Sequence, residues 1–275
     1  MTIKITASEV NKLRQTTRAG MMDCKNALVE SKGDFDKALE FLRKNGQKVA
    51  ANRADRESRE GVVLAKVNNE KTSGIIISLN CETDFVANNQ DYVKLANDIA
   101  DIALNHETLD SLLSADFDGM SINEKLNEQT GVIGEKIELK EFKRVRDKYV
   151  GSYIHAGNKI ATLIGLSLKF ENANELSKNI AMQVAAMNPI ALNENSLAPE
   201  TIEKEIEIAK EQLRREGKPE SMLDNIAKGK LKKFFKDNTL LNQDYIKENK
   251  ISVNSYIKSV SANVEVNSFA RVSLI

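Results

Sequence analysis

A strand–strand–helix order that occurs twice constrains this chain most. Residues 61–67 and 72–79 read as two strands joined around Asn68-Asn69-Glu70, a polar tip suited to a turn. The second strand is apolar on consecutive positions, as expected for a strand buried on both faces. Tyr92, Val93, Ala96, Ile99 and Ala103 then follow the 3.6-residue spacing of a helix packing back on the sheet. The order returns at Gly151-Ser152-Tyr153-Ile154-His155 and 160–168, a hairpin across Ala156-Gly157-Asn158-Lys159. Its helix spans 173–187 with Leu176, Ile180, Val184 and Met187 inward, and Asn188-Pro189 stops it. The repeat is one of supersecondary type, not of sequence. Val264-Glu265-Val266 and residues 269–275 supply a last strand that completes the second sheet.

Other segments surround these two units. Thr6 with Glu9 three residues on is a capping box, and Val10 and Leu13 share the face behind it. Met21-Met22 opens a second helix carrying Cys24, Ala27 and Leu28. Asp34 caps a third with Phe35, Ala38, Leu39 and Leu42 inward. So small a core is marginal alone, and such modules tend to be attached recognition units. Residues 44–60 are polar and carry both charge signs, which reads as an exposed, partly helical linker that lets the small module move. Leu109-Asp110-Ser111-Leu112-Leu113 and 122–126 are short helices, Gly131-Val132-Ile133-Gly134-Glu135 a helix or turn, and 137–146 a strand. Ile202, Ile206, Ala209 and Leu213, then Met222, Ile226 and Leu231 across Gly217-Lys218-Pro219, form the narrow seams of a helical hairpin. The basic end of that hairpin, 228–233, has acidic residues nearby and reads as a solvated or partner-facing surface.

The fold class is therefore α+β: an N-terminal three-helix module, then two α+β core subdomains with antiparallel sheets and an inserted helical hairpin. The expected boundaries are 1–46 for the module and 47–60 for the linker. Residues 61–148 form the core N-subdomain, 149–188 with 236–275 the core C-subdomain, and 189–235 the hairpin.

Little in the chain suggests chemistry of its own. Its 40 basic residues balance its 40 acidic ones, so no net field draws nucleic acid or an anionic membrane. No apolar run approaches the roughly 20 residues that span a bilayer. The amino terminus lacks the apolar core of a signal peptide, so a cytoplasmic protein is expected. Cys24 and Cys81 lack metal-ligand spacing and read as small buried hydrophobes. Only His106 and His155 are present, and Gly131-Val132-Ile133-Gly134 lacks the lysine of a phosphate-binding loop. No cofactor and no metal are expected. A hydrolase would need Asp84 as base with His155 as partner. Asp84 reads more simply as a cap on the turn it begins.

Between the first sheet and its helix lies Thr83-Asp84-Phe85-Val86-Ala87-Asn88. Connections of this kind lie on the surface and concentrate binding residues. Phe85 either folds back as a core cap, the commoner fate of a loop aromatic, or is an anchor presented to a pocket on another molecule. Composition does not decide between them.

Two stretches carry a family resemblance. Leu13-Arg14-Gln15-Thr16-Thr17-Arg18-Ala19-Gly20-Met21-Met22-Asp23-Cys24-Lys25-Asn26-Ala27-Leu28 resembles the amino-terminal signature of bacterial elongation factor Ts, whose module is similar to the ubiquitin-associated three-helix fold. Thr17 stands where the family usually has Gly. Asn80-Cys81-Glu82-Thr83-Asp84-Phe85-Val86-Ala87-Asn88 resembles the second signature almost position by position, with Ser78 where the family usually has Glu. Residues 151–155 and the run from Ala181 to Ala186 closed by Pro189 follow in family order.

This resemblance covers nearly the whole chain and implies a guanine-nucleotide exchange factor for elongation factor Tu, not an enzyme. It implies that Asp84 and Phe85 form an intruding tip, framed by Thr83 and Val86, that disturbs the Mg²⁺ and phosphate site. It assigns Arg14, Met21 and Met22 to partner contacts of a GTPase-binding module, with Ile133, Gly134 and His155 near the tip. The partner would be bound in its GDP-loaded and nucleotide-free states, and the second sheet would face its third domain. The 189–235 hairpin matches an element linked to dimerisation in some members. The carboxy-terminal helix usual in the family has no counterpart before Ile275. The rival from another class is a non-catalytic adaptor built on the ubiquitin-associated-like module.

Overall fold

The computed structural model describes residues 5–17 and 19–274. The chain begins with three helices, α1 (Ala7–Thr17), α2 (Met21–Glu30) and α3 (Phe35–Asn52). Thr6 and Glu9 form the expected reciprocal cap on α1, and Asp34 accepts the Lys37 amide at 3.1 Å to start α3. Val10, Leu13, Ala19, Cys24, Ala27, Leu28 and Ala38 make a core of their own. Burial raises the Cys24 thiol above its ordinary pKa, consistent with a structural cysteine.

Two strands follow, β1 (Glu60–Val67) and β2 (Ser73–Cys81), and every residue of β2 is buried. After them come α4 (Asp84–Ala87), α5 (Gln90–Ala103), α6 (Leu109–Leu113), the short pair β3 (Asp116–Phe117) and β4 (Met120–Ser121), and α7 (Ile122–Ile133). The strand β5 (Glu138–Arg146) joins the first sheet, whose order is β1-β2-β5. Next are β6 (Tyr149–Ile154), β7 (Ile160–Leu166) and α8 (Ala173–Met187). A hairpin of α9 (Pro199–Arg215) and α10 (Glu220–Asn238) precedes β8 (Asp244–Tyr245), β9 (Glu248–Ser252), α11 (Val253–Val260) and β10 (Val266–Ser273). The second sheet is antiparallel in the order β10-β7-β6, with Phe269 and Gly151 both opposite Ile164. The last strand thus completes it, as the sequence pattern predicts.

Contacts divide the chain into two compact units. The first takes in the chain up to Leu64, Ile77–Lys143 and Leu274; the second takes in Ala65–Ile76 and Arg144–Ser273. In the second unit, α8 covers the sheet with Leu176, Ile180 and Val184, and Val253 and Ile257 of α11 join the same core. No helix among the described residues is long and apolar enough to cross a membrane.

Three expectations need correction, and one element was not anticipated. The third helix does not end at Gly46 but continues to Asn52, taking in the start of the expected 47–60 linker. Gly46 is buried, and a Cβ on Gly131 of α7 would lie 2.5 Å from the Gly46 Cα. Two glycines thus let α3 and α7 approach backbone to backbone, a tertiary contact that carries the helix through a polar sequence. The helix expected at 122–126 extends to Ile133, because the capping box of Ser121 and Glu124 begins it and Gly134 ends it. In the α9–α10 hairpin the buried seam is Ala209, Leu213, Leu223 and Ala227, with Ile226 beside it, while Met222 is exposed; the second stripe lies one residue from its expected register. The β8–β9 pair was not anticipated, because strands of two and five residues leave too few positions to show a period of two.

Candidate functional site

The stretch between β2 and α5 is helical, not an irregular connection. Asp84–Ala87 forms the single turn α4. Thr83 is its N-cap, in extended conformation, with its hydroxyl oxygen 3.5 Å from the Val86 amide and its carbonyl accepting the Ala87 amide at 3.2 Å. The expectation that Asp84 caps this turn is therefore corrected: a side chain inside the first turn points away from the free amides, whereas the preceding residue reaches them. Asn89 follows at once, accepting the Asp91 amide at 2.8 Å to start α5.

This geometry sorts the four residues. Ala87 is buried, Val86 is half-buried, and Asp84 and Phe85 face out. Phe85 is 85% exposed, the largest value among the exposed large hydrophobic residues. The core-cap alternative is thereby overturned. A phenyl ring left in water forgoes roughly 2 kcal/mol of burial, so nothing in the folding of this unit selects its position.

The turn is rooted from behind. Tyr92 is buried and donates its hydroxyl to the Leu79 carbonyl at 2.7 Å; burial pushes its phenol well above the ordinary value, so it stays a donor. The Cys81 thiol donates to the Thr83 carbonyl at 3.1 Å. Two carboxylates add to this hold. Glu135 accepts the Glu82 amide at 3.1 Å and the Thr83 amide at 3.0 Å on one oxygen, and the Thr83 hydroxyl at 2.7 Å on the other. Glu82 accepts the Lys136 amide at 2.7 Å and pairs with Arg53 at 2.7 Å and Arg56 at 3.1 Å. Burial pushes the Glu82 carboxyl up, but the Lys136 amide and the two guanidinium groups outweigh this and hold it below its ordinary value. The Lys136 ammonium donates to the Ala54 and Arg56 carbonyls at 2.9 and 3.1 Å. Arg53 and Arg56, just after α3, are thus tied to the turn and are not merely part of a solvated face, while the helical part expected within 44–60 is the end of α3.

Ile133 and Gly134 directly precede Glu135 in the chain. Ile133 ends α7, and Gly134 takes the left-handed conformation, φ 79°, with its amide donating to the Thr130 carbonyl at 2.9 Å. That reversal delivers Glu135 to the Glu82 and Thr83 amides. An open groove of about 420 Å³ lies in the same unit, with Thr16, Thr17, Val86, Tyr92, Val132 and Ile133 among its walls. Arg14 is exposed on α1, and Met21 and Met22 are 47% and 62% exposed at the start of α2. His155 belongs to the second unit, where it follows β6; its Nδ1 lies 3.0 Å from the Tyr153 hydroxyl, and its amide donates to the Ile160 carbonyl at 2.9 Å. Among the described residues no group of three His, Cys, Asp or Glu side chains is gathered as metal ligands would be.

Sequence reasoning missed Glu82 as an anchor, together with Glu135, Arg53 and Arg56. Glu82 lies within the quoted motif, but its partners are 26 to 54 residues away, and nothing local marks them.

The chain has clear relatives. A family model described as "Elongation factor TS" matches residues 82–274. A protein named "Elongation factor Ts" from Christiangramia forsetii is 62% identical over 271 residues, covering 98% of this chain and 99% of the relative. One of the same name from Flavobacterium psychrophilum is 60% identical, covering 98% of each. Another, from Porphyromonas gingivalis, is 42% identical, again covering 98% of each.

Proposed function

This chain belongs to the elongation factor Ts family, and from that premise we propose that it serves translation elongation as a guanine-nucleotide exchange factor for elongation factor Tu. The observation that carries the reading is the exposed Phe85 on a turn anchored by Glu82 and Glu135. An aromatic ring presented on a fixed backbone loses little entropy on docking and gains its full burial energy at the partner.

Exchange then follows from differential binding. A GTPase holds its nucleotide through backbone amides and Mg²⁺ at the phosphates. If the Asp84-Phe85 turn binds the nucleotide-free conformation better than the loaded one, it shifts the equilibrium toward release. Filling an apolar pocket with the Phe85 ring supplies about 2 kcal/mol toward that distortion. The coupling is reciprocal, so incoming nucleotide in turn dissociates the complex and this chain acts catalytically. Arg14, Met21 and Met22 are assigned to a separate docking face on the three-helix module, which the exposed thioethers support. Ile208 and Met222, exposed on the α9–α10 hairpin, support self-association through residues 189–235.

The test is release of a fluorescent GDP analogue from elongation factor Tu in stopped flow. Substoichiometric amounts of this chain should accelerate release with turnover. Release at the spontaneous rate under those conditions would rule the reading out.

A further inference from the structure

Phe85 is held from outside its own turn. A single helical turn does not stabilise itself, because nucleation fixes several residues for one hydrogen bond. The side chains of Asp84 and Phe85 face out, and within the turn the Asp84 carbonyl accepts the Asn88 amide at 3.0 Å. From within the turn only Ala87 is fully buried. The direction in which Phe85 leaves the fold is therefore set by the residues on either side of the turn: Ala87 and the start of α5 after it, and Glu82 and Thr83 before it.

Both of their amides end on one oxygen of Glu135, and the Thr83 hydroxyl ends on the other. That hydroxyl proton matters, because donating it leaves the oxygen lone pairs facing the Val86 amide that Thr83 caps. Three donors converge on one carboxylate, and charge-assisted bonds of this kind are the stronger class. The carboxylate is itself planted by the left-handed Gly134. On the far side, Glu82 is drawn to Arg53, Arg56 and the Lys136 amide.

We propose that Glu135 is the positioning residue of the exchange turn, presetting the backbone of Thr83 so that Phe85 is aimed before the partner arrives. This rests on the exchange reading above. Its consequence is specific. If Glu135 acts by preorganisation, its loss lowers the fraction of molecules whose turn is competent and raises the apparent dissociation constant in inverse proportion to that fraction. The bound complex is unchanged, so the maximal exchange rate stays near that of the unmodified protein. Loss of Phe85 removes the group that acts in the complex and lowers the maximal rate itself.

The experiment compares Glu135→Ala, Glu135→Gln and Phe85→Ala in GDP release from elongation factor Tu over a range of concentrations of this chain. Amide hydrogen exchange at Glu82 and Thr83 is followed by NMR in the same samples. Glu135→Ala should raise the half-saturating concentration about tenfold with the plateau within twofold, and should unprotect both amides. Glu135→Gln keeps one carbonyl oxygen for the two amides but has no acceptor for the Thr83 hydroxyl, and should fall between. It also preserves the fold should the alanine variant lose it. If both variants lose amide protection yet keep the original half-saturating concentration, while Phe85→Ala is slow, the positioning role is overturned and the exchange reading stands. If Phe85→Ala itself exchanges at the original rate, the exchange reading fails and the role of Glu135 falls with it.

Discussion

Glu82 and Glu135 hold each other's segments. The carboxylate of Glu82 accepts the amide of Lys136 at 2.7 Å, and the carboxylate of Glu135 accepts the amide of Glu82 at 3.1 Å. Each acid thus fixes the backbone beside the other, so the end of β2 and the turn after α7 are tied by two crossed bonds. The Glu82 charge is compensated by the Lys136 amide together with Arg53 and Arg56.

The two arginines are not equal. Arg53 is 25% exposed beside a Glu82 that is 16% exposed, whereas Arg56 is 56% exposed. Arg53→Ala should cost roughly 1–2 kcal/mol, as for a partly buried hydrogen bond to a charged group. Arg56→Ala should cost about 0.5 kcal/mol or less, because solvent screens it. Urea denaturation of the two variants checks the order.

The lowered pKa of Glu82 gives a pH dependence with a definite sign. A carboxyl whose folded pKa lies below its unfolded one binds fewer protons when folded, so stability rises with pH through that window. The contribution of Glu82 is complete above the ordinary carboxylate pKa of about 4.3 and is lost as pH falls through the lower folded value. The difference in unfolding free energy between this chain and Glu82→Gln should be flat from neutral pH down to about 5 and then shrink. A difference that shrank instead as pH rose through neutrality would contradict the assignment.

Phe85→Ala should separate stability from function. With the ring 85% exposed, its removal should change unfolding free energy by less than about 0.5 kcal/mol. If the ring is buried in the partner, the loss of ~2 kcal/mol corresponds to about a 30-fold slower exchange. Thermal melts and stopped-flow release on the same preparation measure both.

Two glycines of one turn should fail for different reasons. A Cβ on Gly134 meets nothing within 4 Å, so Gly134→Ala costs only the strain of a left-handed backbone, about 1–2 kcal/mol. Relaxing that strain would swing Glu135 away, so amide protection at Glu82 and Thr83 should fall with it. A Cβ on Gly131 would lie 2.5 Å from the Gly46 Cα, so Gly131→Ala should force α3 from α7 and cost about 3 kcal/mol. Hydrogen exchange along α3 distinguishes the two: it should rise in the Gly131 variant and stay unchanged in the Gly134 variant.

The elements were legible wherever a local rule sufficed. Thr6 with Glu9 and Asp34 announced two helix starts, and the 173–187 helix falls between the bounds that its apolar spacing and Asn188-Pro189 set. Phe85 could be singled out but not oriented. Its exposure depends on what Val86, Ala87 and Tyr92 bury behind it, and burial is a property of the assembled core. The α10 seam slipped by one residue because Met222 and Leu223 are both apolar, and only packing on Ala209 and Leu213 chooses between them.

What the sequence determined by itself was most of the segments: two strand–strand–helix units, a three-helix start, a helical hairpin, and the Thr83 to Asn88 connection. Periodicity, capping and turn chemistry act over a few residues, so they can be read along the chain. Only the tertiary structure decided how that connection is held. Glu135 reaches Thr83 across 52 positions and Arg53 reaches Glu82 across 29. A carboxylate selects its partners by distance in space, and distance in space is what a linear sequence does not record.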